Sequence, residues 1–151
     1  MLEKYFESKM PRPSSDIAAF PIMRNTVQLW PDVRKHILAY NPREALDEIW
    51  SVITEANQFV EERKPWSLAK DPGKKSELTD VICALTECVA HIAVLLQAFM
   101  PETAKKILDR LKIASREKIA SDRKFREPLV IAGTVIEKGE PLFPRLDEKT
   151  S

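Results

Sequence analysis

The sequence predicts an all-α protein, a helical bundle closed at its C-terminal end by a short extended strap. Three observations point there. Apolar residues recur at helical spacing, most clearly at Ala45, Leu46, Ile49, Trp50, Ile53, Ala56 and Val60. Only 3 glycines occur in 151 residues, too few for the tight turns of a large sheet. The helical period is lost at Glu127, where a short β-branched stretch bounded by prolines begins. The expected organisation is a bundle over residues 1–126 and a hairpin or strap with a frayed tail over 127–151.

Taken in order, Met1 to Met10 reads as the tail of a helix, with Leu2, Tyr5 and Phe6 on one side. It starts without a cap, as a helix cut short would, and Pro11 and Pro13 break it. Asp16 to Pro21 reads as a loop or a single turn. Thr26 to Tyr40 is helical with Val27, Trp30, Ile37 and Leu38 inward, and Pro31 either kinks it or begins a fresh turn. Asn41-Pro42 restarts a helix, a capping residue followed by proline at the first helical position. That helix carries the apolar row given above and stops at Lys64-Pro65, because proline crowds its predecessor out of the helical region.

Asp71 to Lys75 is a basic turn, and a central helix follows from Glu77 to Phe99. Its run from Val81 to Met100 is long and apolar enough to be weighed as a membrane span. Glu87 and His91 interrupt the middle of that run, and a charged residue at a bilayer centre costs about 2–3 kcal/mol. A helix apolar nearly all round is also what the centre of a bundle needs, and that is the reading adopted. Pro101 starts another helix with Ala104, Ile107, Leu108 and Leu111 inward, continuing weakly through Lys112 to Lys118. Pro128 to Ile136 and Pro141 to Leu146 then form a strand pair or an extended strap.

Composition narrows the function classes. A hydrophobic fraction of 44% and a charged fraction of 31% suit a soluble globular domain, with no membrane partner. The net charge of +1 gives no argument by itself for nucleic acid. The basic stretch Glu102 to Arg126 reads as a solvated face. Cys83 and Cys88 lack metal spacing and point in different directions on a helix, so they read as buried reduced thiols of a cytoplasmic protein. No catalytic constellation, metal set or glycine-rich phosphate loop is visible, and His36 and His91 each stand alone. Adjacent Glu61 and Glu62 splay by roughly 100° on a helix and cannot work as an acid–base pair.

What remains is the corner at Pro65-Trp66. A tryptophan just past a helix end, flanked by Lys64 and Lys70, either plugs the gap between helices, as Trp50 is expected to do, or offers a flat face. Stacking a base on such a face contributes about 1–3 kcal/mol, and unpaired loop bases are the usual occupants. Lys64, Lys70, Lys74 and Lys75 are close enough in sequence to meet the phosphates of such a strand. The residues themselves leave both readings open. The competing function class is a helical protein–protein interaction module with Trp66 in its core.

The segment Ala56-Asn57-x-Phe59-Val60-Glu61-Glu62-x-Lys64-Pro65-Trp66-x-Leu68-Ala69-Lys70 resembles the signature of the anticodon-binding domain of methionyl-tRNA synthetases. Ala45-Leu46-x-x-Ile49-Trp50 and the closing Lys138 to Leu146 resemble the same family in the same order. The resemblance implies a class I synthetase anticodon-binding bundle. In it Trp66 would stack on the first anticodon base of methionine tRNA, Asn57 and Glu61 would lie near the anticodon, and Pro65 would set the corner. It implies methionine tRNA as partner and a catalytic domain of the same enzyme in cis or in trans. ATP and methionine would bind that catalytic domain, so no cofactor is expected here. The family's catalytic motifs do not occur in these residues, and its base-reading Asn and Arg would fall upstream of Met1.

Overall fold

The computed structural model describes residues 1–113, 127–136, 139 and 142. Among them are six α-helices: α1 (Leu2–Phe6), α2 (Pro21–Leu38), α3 (Pro42–Arg63), α4 (Pro65–Leu68), α5 (Lys75–Leu96) and α6 (Pro101–Arg110). Two 3₁₀ turns, Ile17–Ala19 and Pro72–Lys74, lead into α2 and α5. Proline stands in the first turn of α2, α3, α4 and α6, where its missing N–H has no intrahelical partner to lose.

The core is assembled around α5. From Leu78 to Leu96 every residue is buried except Leu85 and Val89. The helix is long and apolar enough to cross a membrane by composition, but here 89% of its apolar window is buried inside the bundle. The α2–α3 hairpin packs on it from one side and α6 from another. Each contributes its apolar row: Ile22, Met23, Leu29 and Val33 from α2, Ala45, Ile49, Val52 and Phe59 from α3, Ala104 and Leu108 from α6.

Several expectations change. The second helix begins at Pro21, not Thr26. Thr26 is interior, donating its hydroxyl to the Ile22 carbonyl at 2.7 Å, and the helix runs on through Pro31. Ile37 and Leu38 are 41% and 62% exposed, not inward, because every residue from Ile37 to Glu44 lies at the exposed tip of the hairpin. Trp50 is not a core residue. It is 52% exposed, since the buried row of α3 runs through Ile49 and Trp50 points about 100° away from it. The central helix starts at Lys75 and ends at Leu96. After α6, Lys112 takes a left-handed conformation (φ 56°), so the helix does not continue there. The rest of the expected continuation, 114–118, lies outside the described residues.

The first half of the strap lies against the N-terminal segment. Val135 forms an antiparallel bridge with Lys9 of the N-terminal segment. Its expected partner within the strap, Pro141 to Leu146, lies outside the described residues apart from Leu142.

Candidate nucleic-acid interface

The corner after α3 is built by the backbone. Lys64 caps α3 in the left-handed region (φ 44°, ψ 61°), and its N–H donates to the Val60 carbonyl at 2.9 Å. Proline at 65 disfavours the right-handed helical region for Lys64 and so helps to end the helix. The next turn is stitched at once: the Ser67 and Leu68 N–H groups donate to the Lys64 carbonyl at 2.7 and 3.2 Å, and the Ala69 N–H donates to the Pro65 carbonyl at 3.0 Å. Pro65 and Leu68, three apart, face inward and are buried. Trp66 lies between these two anchors and is turned outward, 40% exposed.

Behind the corner, the guanidinium of Arg63 lies 5.3 Å from the centre of the Phe20 ring and 5.4 Å from that of Phe59. It also sits 3.9 Å from the Glu77 carboxylate at the start of α5. Those contacts commit the Arg63 charge to holding α3 against α2 and α5. The neighbouring lysines are different. Lys64, Lys70, Lys74 and Lys75 are exposed and form no ion pair among the described residues. Asp71, the acidic residue among them, accepts the Gly73 N–H at 2.9 Å and so caps the 3₁₀ turn. Four lysines without an ion pair among the described residues thus lie within nine residues of one outward indole along the chain.

Asn57 and Glu61 are exposed on α3, four residues apart and hence on one face. Glu61 is roughly 4.5 Å along the axis from Lys64, and Asn57 roughly 10 Å. Both side chains stand without a partner among the described residues. The fold thus gathers Lys64, Pro65, Trp66 and Lys70 at the corner, with Glu61 and then Asn57 extending the row back along α3. The opposite flank of α3 has another character. A cleft of about 180 Å³ there is lined by Pro21, Ile22, Phe59, Gln58, Arg63 and the carboxylates of Glu55 and Glu62. Its acidic wall repels a phosphate backbone and leaves the lysine side as the compatible approach.

The family model described as the anticodon binding domain of methionyl tRNA ligase matches residues 21–151. The chain belongs to that family. Its relatives include the methionine–tRNA ligase of Caldanaerobacter subterraneus subsp. tengcongensis, 36% identical over 148 residues. That of Clostridium tetani is 38% identical over 153 residues. In both cases the match takes in 97% of this chain and 23% of the relative, so the chain spans under a quarter of the length of these proteins. The crystal structure of free-state Mycobacterium tuberculosis methionyl-tRNA synthetase superposes with a TM-score of 0.85 at 28% identity, over 97% of this chain and 30% of that one. Fold and family therefore agree with the helical anticodon-binding bundle expected from the sequence. With Trp66 turned outward, a core role for it, and the interaction-module reading built on that role, are not favoured.

A second set of polar residues lies on α5, of which sequence reasoning named Glu87 and His91 only as interruptions of the apolar run and did not name Asp80. Asp80, Glu87 and His91 are all buried, at 6%, 3% and 2% exposure. His91 Nδ1 is 2.8 Å from the Glu87 carbonyl oxygen and 3.8 Å from its carboxylate. Burial holds Glu87 above the usual carboxylate range, opposed by hydrogen bonds from the Leu129 and Val130 amides and by His91. Burial, aided by the Asp80 and Glu87 carboxylates, pushes the Cys83 thiol up to about 12. The visible signal was two acidic residues seven apart in an apolar run, a spacing that puts both on one helix face.

Proposed function

We propose that this chain binds the anticodon arm of methionine tRNA, so that the catalytic domain of a methionine–tRNA ligase, in cis or in trans, can charge it with methionine at the expense of ATP. The observation that carries the reading is the outward indole of Trp66, fixed between buried Pro65 and Leu68 in a lysine-rich stretch of chain. Membership of the anticodon-binding family supports the same assignment. In this mechanism Trp66 is a flat platform for an unpaired anticodon base. Pro65 fixes its direction, so little conformational freedom is lost on binding. Asn57 offers an amide that donates and accepts to a base edge, and Glu61 a carboxylate that accepts only. Lys64 and Lys70 lie where the strand's phosphates would run.

The test is Trp66→Ala, with affinity for methionine tRNA measured beside thermal unfolding. Loss of one stacked base, worth about 1–3 kcal/mol, should weaken binding by roughly 5- to 150-fold. Because Trp66 is already well exposed, the melting temperature should move by only a few degrees. A large fall in melting temperature with unchanged affinity in the folded fraction would make Trp66 structural and defeat the proposal.

A further inference from the structure

The buried polar face of α5 takes no part in the corner, yet it holds two distant segments of chain. Asp80, Cys83 and Glu87 follow one another at spacings of three and four, so they stand in one line on the helix. Asp80 accepts the Ser14 N–H at 2.5 Å, the Ser15 N–H at 3.3 Å and the Ser15 hydroxyl at 2.7 Å. Cys83 donates its thiol to the Pro11 carbonyl at 3.5 Å. Glu87 accepts the Leu129 N–H at 2.9 Å on one carboxylate oxygen and the Val130 N–H at 2.8 Å on the other.

The two captured segments then bond to each other. The Met10 N–H donates to the Thr134 carbonyl at 2.8 Å, the Gly133 N–H to the Met10 carbonyl at 2.7 Å, and the Ile136 N–H to the Ser8 carbonyl at 2.7 Å. Met10 and Val130 are buried in the core beneath this ladder. An apolar residue at position 80 or 87 would pack α5 without the cost of desolvating a carboxylate, but it would hold none of these amides. The division of labour is also clear. Asp80 and Cys83 hold only the N-terminal segment, Glu87 holds only the strap, and the ladder joins them.

We propose that the Asp80–Cys83–Glu87 line is a latch that fixes residues 8–15 and 129–136 to α5 as one cooperative unit, so that freeing the strap at Glu87 also lifts the N-terminal segment from Cys83. Local opening in proteins proceeds by such contiguous units, below the free energy of global unfolding. Whatever engages either segment is then felt by the other. The latch is independent of whether the corner binds tRNA.

Cys83 reports on it. The thiol is 1% exposed and lies under the N-terminal segment, so it reacts only when that segment lifts. Cys88, 0% exposed and next to Thr26 of α2, reports opening of the bundle itself. The experiment is alkylation of the native 151-residue chain with iodoacetamide at pH 8, the two positions resolved by fragmentation mass spectrometry. In Glu87→Ala, which leaves two buried amides without an acceptor, Cys83 should react at least about tenfold faster while Cys88 keeps its rate. Glu87→Gln retains one acceptor oxygen and should give a smaller rise at Cys83 alone; it decides the matter if the alanine variant does not fold. An unchanged Cys83 rate in a folded variant would show that the segments open independently. Equal acceleration at both cysteines would show that Glu87 merely stabilises the whole bundle. Either result overturns the latch.

Discussion

Two junctions in this molecule share a recipe and differ in outcome. At the α2–α3 tip, Tyr40 is left-handed (φ 58°), Asn41 follows, and Pro42 starts the next helix. At the α3–α4 corner, Lys64 is left-handed (φ 44°), Pro65 starts the next helix, and Trp66 follows. Both display an aromatic, Tyr40 at 92% exposure and Trp66 at 40%. At the tip nothing anchors the ring, since all residues from Ile37 to Glu44 are exposed, and its Arg43 is spoken for by Asp47 at 3.9 Å. At the corner the ring stands between two buried neighbours, and the lysines before and after it in the chain form no ion pair among the described residues. On the proposed reading, exposure alone does not mark a binding surface. What distinguishes the corner is an aromatic held in one direction beside uncommitted charge.

The largest effect should come from removing the base on which Trp66 stands. Leu68 is 7% exposed, and Leu68→Ala should cost about 2–5 kcal/mol of stability in chemical denaturation. If rigid presentation matters, tRNA affinity of the folded variant should fall as well, because the indole must then be ordered on binding. Lower stability with full affinity would mean that Trp66 needs no fixed base, and the contrast between the two junctions would lose its physical content.

Next in size is the electrostatic difference. Lys64→Gln together with Lys70→Gln should flatten the dependence of log affinity on log salt by about 0.7 for each single-strand phosphate that is no longer neutralised. Arg43→Gln at the tip should leave that slope alone. Equal slopes in all three proteins would place the phosphates elsewhere, with Lys74 and Lys75 the first residues to try.

How far these features were legible in the sequence follows from the range of the interactions behind them. The end of α3 at Lys64-Pro65 was legible because proline acts on its immediate neighbour. The apolar row of α3 was legible because helical spacing is local. The fate of its tryptophan was not, since spacing shows which residues share a face but not how wide an arc the neighbouring helices cover. Trp50, at 52% exposure, falls just past that arc. Glu87 was read only as a break in an apolar run and Asp80 was not singled out, because their partners lie 42 or 43 and 65 or 66 residues away. For the same reason the surface that the strap lies on could not be named; its described ladder partner is the segment from Ser8 to Met10 near the other end of the chain. Of the candidate site, the Pro65-Trp66 corner with Lys64 and Lys70 was legible in the residues as one of two readings, and Asn57 and Glu61 came through resemblance. The physical case for it, buried anchors on both sides of Trp66 and neighbouring lysines that form no ion pair among the described residues, needed the fold.

The smallest expected effect is also the sharpest control. Tyr40→Ala removes an aromatic more exposed than Trp66, from a junction with the same left-handed residue and the same proline. With 92% of the side chain already in water, little burial is lost, and stability should change by no more than about 0.5 kcal/mol. Affinity for methionine tRNA should be that of the parent protein. The tip and the corner lie at opposite ends of α3, a 22-residue helix about 33 Å long, so a loop seated on Trp66 has no need to reach Tyr40. Titrating Tyr40→Ala beside Trp66→Ala at one salt concentration makes the comparison direct. Comparable losses in the two would mean that any exposed ring on this bundle takes part in binding, and the anchored geometry at Pro65-Trp66-Leu68 would no longer explain where the tRNA goes.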